Sequence, residues 1–159
     1  MTGKGSLNHN SRKFHAKNTD PNRTHWNVEY CNEDIKDVYH ELFDDALKRY
    51  NDKQTRKDRK IDDYYEKIRS GKQEKLFHEV ILQIGDKDNM GSETMEGQLA
   101  AKILDEYMKG FQERNPTLRV FAAHLHLDEA TPHLHIDFIP YVTGSKRCLL
   151  YTSPSPRDA

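Results

Sequence analysis

The chain is short of cysteine, of glycine and of long apolar runs. Cys31 and Cys148 are too few to build a disulfide framework. No stretch approaches the roughly 20 apolar residues of a membrane-spanning helix. The opening residues, MTGKGSLNHNSRKFH, hold no apolar segment of the kind a secretory signal needs. One-sided charge is missing too: 25 Lys and Arg stand against 26 Asp and Glu, a net charge of -1. A bulk polycation is therefore excluded, and any nucleic-acid contact must come from local patches. A length of 159 residues fits one domain. What remains is a soluble cytoplasmic protein.

The last residues change character. Cys148 to Asp158 read CLLYTSPSPRD, directly after the basic SKR. The string looks like translated read-through of a sequencing adapter, since a transposon end read in frame gives Cys-Leu-Leu-Tyr-Thr-Ser. The natural chain is therefore expected to be cut off near Arg147. Residues 1–147 would be the N-terminal part of a longer domain, and 148–159 an artefact tail. Cys148 and Tyr151 then drop out as functional candidates.

What is present is mixed helix and strand. Residues 1–30 are polar, and Lys4, Arg12, Lys13, Lys17 and Arg23 outweigh Asp20 and Glu29. Asp20-Pro21-Asn22 signals a turn. With Asn32 as N-cap, Ile35, Val38, Tyr39, Leu42, Phe43, Ala46 and Leu47 fall at helical spacing over about 33–51. The basic run Lys53–Lys60 leads to a second helix over about 61–70. The segment 76–84 (LFHEVILQI) is the strongest strand. Leu99, Ile103, Leu104, Tyr107, Met108 and Phe111 mark a third helix over about 95–114, stopped before Pro116. Two strands follow, over about 118–127 and 133–141. The order predicts an α+β fold, a largely antiparallel sheet with flanking helices.

Residues 124–140, HLHLDEATPHLHIDFIP, carry the chemistry. Alternate side chains of a strand share a face. His133, His135 and Asp137 therefore point one way, with Leu134, Ile136 and Phe138 opposite. His124 and His126 share a face of the preceding strand. The short connection lets the strands pair antiparallel and brings His126 to His133 and His135. Three neutral imidazoles converging from a stiff sheet make a metal site with open positions. Zinc would suit the histidines; manganese or magnesium would suit open positions facing phosphate. Asp128 and Glu129 lie in the connection as hydrogen-bonding groups or a base. The bland alternative is a set of cross-strand histidines on a solvated face.

HLDEATPHLH resembles the third motif of the Mob/Pre (MobV-type) plasmid mobilisation and recombination relaxases. Asn8-His9-Asn10-Ser11-Arg12 is similar to that family's first motif, H-N-x-R. The stretch from Asn22 to Tyr30 is similar to its second. Together the resemblance covers about 1–147. It implies an HUH endonuclease, with His133-Leu134-His135 as the HUH motif and an antiparallel sheet backed by helices. The implied activity is cutting one strand of plasmid DNA at an origin of transfer, leaving the 5′ phosphate covalently attached. A divalent metal, manganese or magnesium, would sit on His126, His133 and His135. His9 would be the nucleophile, Arg12 would steady the phosphate, and Glu129 would be an acidic residue of the site. The DNA partner, supercoiled or locally single-stranded, would meet Arg12, Lys13, Lys17, Arg23, His25 and Asn27. Further DNA contacts and a homodimerising coiled coil would follow Arg147.

Two positions depart from the family pattern. His124 stands where no histidine is required and could join the metal. Trp26 stands in place of a leucine, as core or as a base-stacking ring. The run Lys53–Lys60 is either a solvated helix entry or a track for the DNA backbone. Two rival readings stay open: a rolling-circle replication initiator with Tyr30 as nucleophile, and a non-catalytic DNA-binding module with structural zinc.

Overall fold

The computed structural model describes residues 2–3 and 6–143. Lys4 and the adapter-like segment lie outside the described residues.

The histidine-bearing strands are the middle of the sheet. β4 (Leu118–His126) and β5 (His133–Pro140) pair antiparallel. β3 (His78–Gln83) lies beside β5, and β2 (Val28–Asn32) lies beside β4. The two-residue β1 (Thr2–Gly3) borders β3, giving the order β1-β3-β5-β4-β2. Every pairing is antiparallel. The fold is therefore the expected α+β class.

Both faces of the central pair are covered, which is why its residues are buried almost without alternation. On one face α4 (Met95–Lys109) and α5 (Phe111–Arg114) lay Ala101, Leu104, Met108 and Phe111 onto Ala123, Leu125, Leu134 and Ile136. On the other, α2 (Ile35–Asp52) and α3 (Tyr64–Ser70) cover only part of the sheet, packing Val38, Tyr39, Phe43, Tyr64 and Ile68 on Phe121, Ala122 and Ile139. A register shift between Val120 and Ala122 makes room for Phe121 in that cluster. The rest of this second face carries the histidines. It is covered by α1 (Leu7–Asn10) and the chain that follows.

Several boundaries differ from the sequence reading. Asn32 is not the N-cap; it ends β2 opposite Ala122, and Asp34 caps α2 through Lys36 N and Asp37 N. α3 begins at Tyr64 rather than near 61, capped by Asp63, because Lys57–Arg59 form a separate 3-10 turn. The third helix breaks at Gly110. Its expected core residues Leu99, Ile103 and Tyr107 are exposed, by 60%, 49% and 40%. The inward stripe is instead Gly97, Ala100, Ala101, Leu104 and Met108. Small residues there let the helix lie close: a Cβ on Gly97 would stand 1.8 Å from the Gly91 carbonyl oxygen. Among the described residues no helix is long and apolar enough to cross a membrane.

Candidate metal and nucleophile site

The β4–β5 register places His124 opposite His135 and His126 opposite His133. The His126 and His135 ring centroids are 4.6 Å apart, and those of His133 and His135 6.4 Å. His126 Nε2 donates to the Asn10 carbonyl at 2.7 Å. A carbonyl only accepts, so the ring proton is on Nε2 and the lone pair is on Nδ1. The Nδ1 atoms of His124, His126, His133 and His135 are all buried without a hydrogen-bond partner. Buried polar atoms are ordinarily partnered, and an unpartnered set implies a ligand or ion. Burial, then the neighbouring His135, pushes the His126 imidazole down to about 3, and burial also lowers His133 and His124. Neutral imidazoles with free nitrogens are the donor set a divalent ion takes. Among the described residues no three of these side chains yet close to ligand distance.

Glu129 faces this group. Its carboxylate lies 3.8 Å from His126 Nδ1, 3.6 Å from His133 Nδ1 and 3.6 Å from His9 Nε2. His9 is brought there by α1, whose N-cap Ser6 accepts from His9 N. Arg12 Nη1 is 3.2 Å from His9 Nε2. Guanidinium nitrogens only donate, so Nε2 carries the lone pair.

Arg12 has φ +54°, the left-handed position after α1 that usually holds glycine. Lys13 N bonds Asn8 O and Arg12 N bonds His9 O, which closes the helix end. The strain, about 1–2 kcal/mol, is offset by three charge-assisted bonds. Arg12 Nε donates to Asp128 Oδ2 at 2.9 Å, and Nη2 to Asp128 Oδ1 and Glu129 Oε1 at 2.6 and 2.8 Å. Burial alone would raise the Asp128 carboxyl; the Arg12 pair, together with the Asn27 and Thr24 side chains, brings it down to about 2.

The 127–129 connection is pinned from every side. Asn27 Oδ1 accepts from Leu127 N and Asp128 N, and Arg23 donates to the Leu127 and Glu129 carbonyls. Thr24 donates to Asp128, and Ser92 Oγ to Glu129 O at 2.9 Å. Of the residues expected to face DNA, Arg12, Arg23 and Asn27 thus spend these bonds on the protein itself. Lys13, Lys17 and His25 are exposed.

Sequence reasoning missed a carboxylate pair beneath the histidines. Glu79 lies opposite Asp137, and Asn10 donates to both. Burial, then the Glu79 carboxylate, raises Asp137 to about 8. The available signal was a lone acid inside the apolar strand LFHEVILQI.

The remaining candidates sit elsewhere. His124 Nε2 is 3.2 Å from Glu29 Oε2. Trp26 is not core: it is 39% exposed, beside a cleft of about 570 Å³ lined with Glu93, Gln98 and Leu127. The Lys53–Lys60 basic residues are solvated, with Arg56 paired to Asp58. Tyr30 packs against the α4-side core, and its hydroxyl donates to Asp105 at 2.6 Å. Cys31 is a free, half-buried thiol, pushed up by burial to about 11.

Comparison with known proteins supplies the remaining link. No curated protein matches the chain in sequence. Crystal structures of the MobM relaxase domain (MOBV; Mob_Pre), bound to plasmid pMV158 oriT DNA and manganese, do match. One, obtained at pH 5.5, has 25% identity and a TM-score of 0.56 over 96% of this chain and 70% of that one. Another, at pH 6.8 with a 3′-thiophosphate DNA, has 25% identity and a TM-score of 0.50 over the same shares. The family model described as plasmid recombination enzyme matches residues 4–150. With that match over nearly the whole chain, and with the histidine hairpin, the HNxR turn and the antiparallel sheet all in place, the chain belongs to the Mob/Pre family of plasmid relaxases.

Proposed function

We propose that this relaxase nicks one DNA strand at an origin of transfer and keeps the 5′ phosphate on His9. The observation that carries the reading is one cluster: the lone-pair nitrogen of His9, Arg12 and Glu129, set against imidazoles with unpartnered Nδ1 atoms. His126, His133 and His135 would hold a divalent ion, manganese or magnesium with zinc also fitting the donors. When bound, it supplies charge neutralisation at the non-bridging oxygens of the scissile phosphate. The MobM domains that resemble this chain were crystallised with manganese and oriT DNA, which supports the choice.

The chain's own groups do the rest. Arg12 Nη1 faces the His9 Nε2 lone pair and holds that ring in place until a phosphate takes the donor. His9 Nε2 then attacks phosphorus in line, an N–P bond forms and the P–O3′ bond breaks. The 3′ oxygen leaves with the electron pair and takes up a proton, while the ring sheds its Nδ1 proton. The phosphoramidate retains the energy for re-ligation. Tyr30 is a poorer candidate, since its hydroxyl is committed to Asp105 on the opposite side of the sheet. Residues 1–147 are taken as the N-terminal part of the catalytic domain, and single-stranded or melted plasmid DNA as the partner, met by exposed Lys13, Lys17 and His25.

The test is the chemistry of the adduct. A phosphoramidate is cleaved by mild acid and survives base, so the DNA–protein adduct should be lost on acidification. His9→Ala should bind manganese and DNA as before yet form no adduct, because only the attacking group is gone. An adduct that persists in His9→Ala and disappears in Tyr30→Phe would give the role to the tyrosine and favour the replication-initiator reading.

A further inference from the structure

α1 has four residues, too few to persist as an isolated helix. Its buried side chain is Asn10, so the place of the neighbouring His9 depends on how Asn10 is held. The Asn10 amide nitrogen carries two hydrogens and meets the oxygens of two acids, Glu79 Oε2 and, at 3.3 Å, Asp137 Oδ2. Its main-chain carbonyl oxygen, on the same residue, accepts the His126 Nε2 proton. The second oxygen of Glu79, Oε1, lies 3.6 Å from His135 Nδ1. One residue thus reaches groups on β3, β4 and β5.

The chemistry requires an amide. Aspartate would set a third acid against two and bring no amide hydrogens. Leucine would take one donor from each acid, and Asp137 Oδ1 already lacks a partner. The roles given to His9 and Arg12 do not account for the asparagine between them.

We propose that Asn10 is a positioning residue that sets His9 relative to His126 and His135: its two amide hydrogens anchor the residue to Glu79 and Asp137 and so hold its main-chain carbonyl against His126. The proposal rests on the reading of His9 as nucleophile and of the histidines as metal ligands. Nuclear magnetic resonance of the 159-residue chain with isotope-labelled histidine tests it. Without metal, the His126 Nε2 proton should give a slowly exchanging signal that is lost in Asn10→Leu, because the main-chain carbonyl that accepts it is no longer anchored in place. With manganese added, the paramagnetic ion should broaden the His9 ring signals. In Asn10→Leu that broadening should fall several-fold while manganese affinity, read by calorimetry, stays close to the original. Single-turnover cleavage should drop on the order of 10²-fold at unchanged DNA affinity, as for a displaced reacting group.

A folded Asn10→Leu variant that keeps both signals overturns the proposal. So does a parallel loss of stability, manganese affinity and broadening, which would mark a merely structural residue. If Asn10→Leu does not fold, Asn10→Ser, which retains one donor, is judged by the same two signals. Absence of His9 broadening in the unsubstituted chain overturns the proposal together with the metal site. An adduct surviving His9→Ala sinks only the nucleophile reading and leaves the magnetic-resonance result standing.

Discussion

Arg12 combines a backbone cost with an electrostatic gain, and the two are separable. Arg12→Gly removes the left-handed strain and the ion pairs together; Arg12→Ala removes the pairs and keeps the strain. Both should lose about 3–5 kcal/mol, because Asp128 is left buried and unpaired. The glycine variant should nevertheless be the more stable by about 1 kcal/mol in urea titration. Equal midpoints would show that the φ angle stores no strain.

His126 and Asp137 give opposite pH dependences. The folded protein holds His126 neutral down to about 3, against 6.5 for the free side chain. Between these values the unfolded chain binds the extra proton, so acidification removes stability, by up to about 5 kcal/mol. Asp137 is raised from 3.8 to about 8, so the folded chain keeps a proton that the unfolded chain releases. Its contribution is present at low pH and is lost as pH rises through about 8. From about pH 7 down to pH 4 the two oppose each other. In metal-free protein, Asp137→Asn should lose stability on acidification more steeply than the parent, and His126→Gln less steeply. Denaturant midpoints across this range decide it, and identical slopes in all three proteins would refute the assignment.

Among the elements, α4 supports the site from a distance. Its first turn lies against the 90–92 loop, and Ser92 of that loop holds the Glu129 carbonyl. Gly97→Ala should therefore cost about 1–3 kcal/mol by overpacking, while Gly91→Ala, whose Cβ would meet only ordinary contacts from 3.5 Å outward, should be nearly silent. Thermal unfolding of the two variants side by side is the measurement.

The β4–β5 hairpin was legible in the sequence because its alternation is long, and the family motif marked His9 and Arg12. α1, β1 and β2 were not legible: two to five residues are too few for any periodicity to register. α4 was legible as a helix, but its inward face was not. Leu99, Ile103 and Tyr107 have the chemistry of core residues, and the alanines that face the sheet carry a weaker hydrophobic signal. Glu79 and Asp137 escaped because their pairing spans strands far apart in the chain.

For the whole molecule, a net charge of -1 means that the proposed DNA attraction must come from a patch. Lys13 and Lys17 are exposed lysines of the polar arm that carries His9. Replacing both with Gln should reduce the slope of log affinity against log salt by about 1.4 for a single strand, from roughly 0.7 per neutralised phosphate. Replacing Lys57 and Lys60 instead should leave the slope unchanged if that run is only solvated. An equal effect from both pairs would extend the DNA path across α2 and α3.

The strand order also dictates a schedule. β2 and β3 do not touch each other; each bonds to a strand of the central hairpin, which among the described strands is the last pair in chain order. Asn10 waits for Asp137, 127 residues further on. At ribosomal speeds of 5–20 residues per second that is an interval of about 6–25 s. Through it the sheet has no centre and the HNxR turn has nothing to dock on. Insertion of one hairpin then joins both halves of the sheet and assembles the histidines, so the nascent chain cannot form this cluster before that hairpin has emerged.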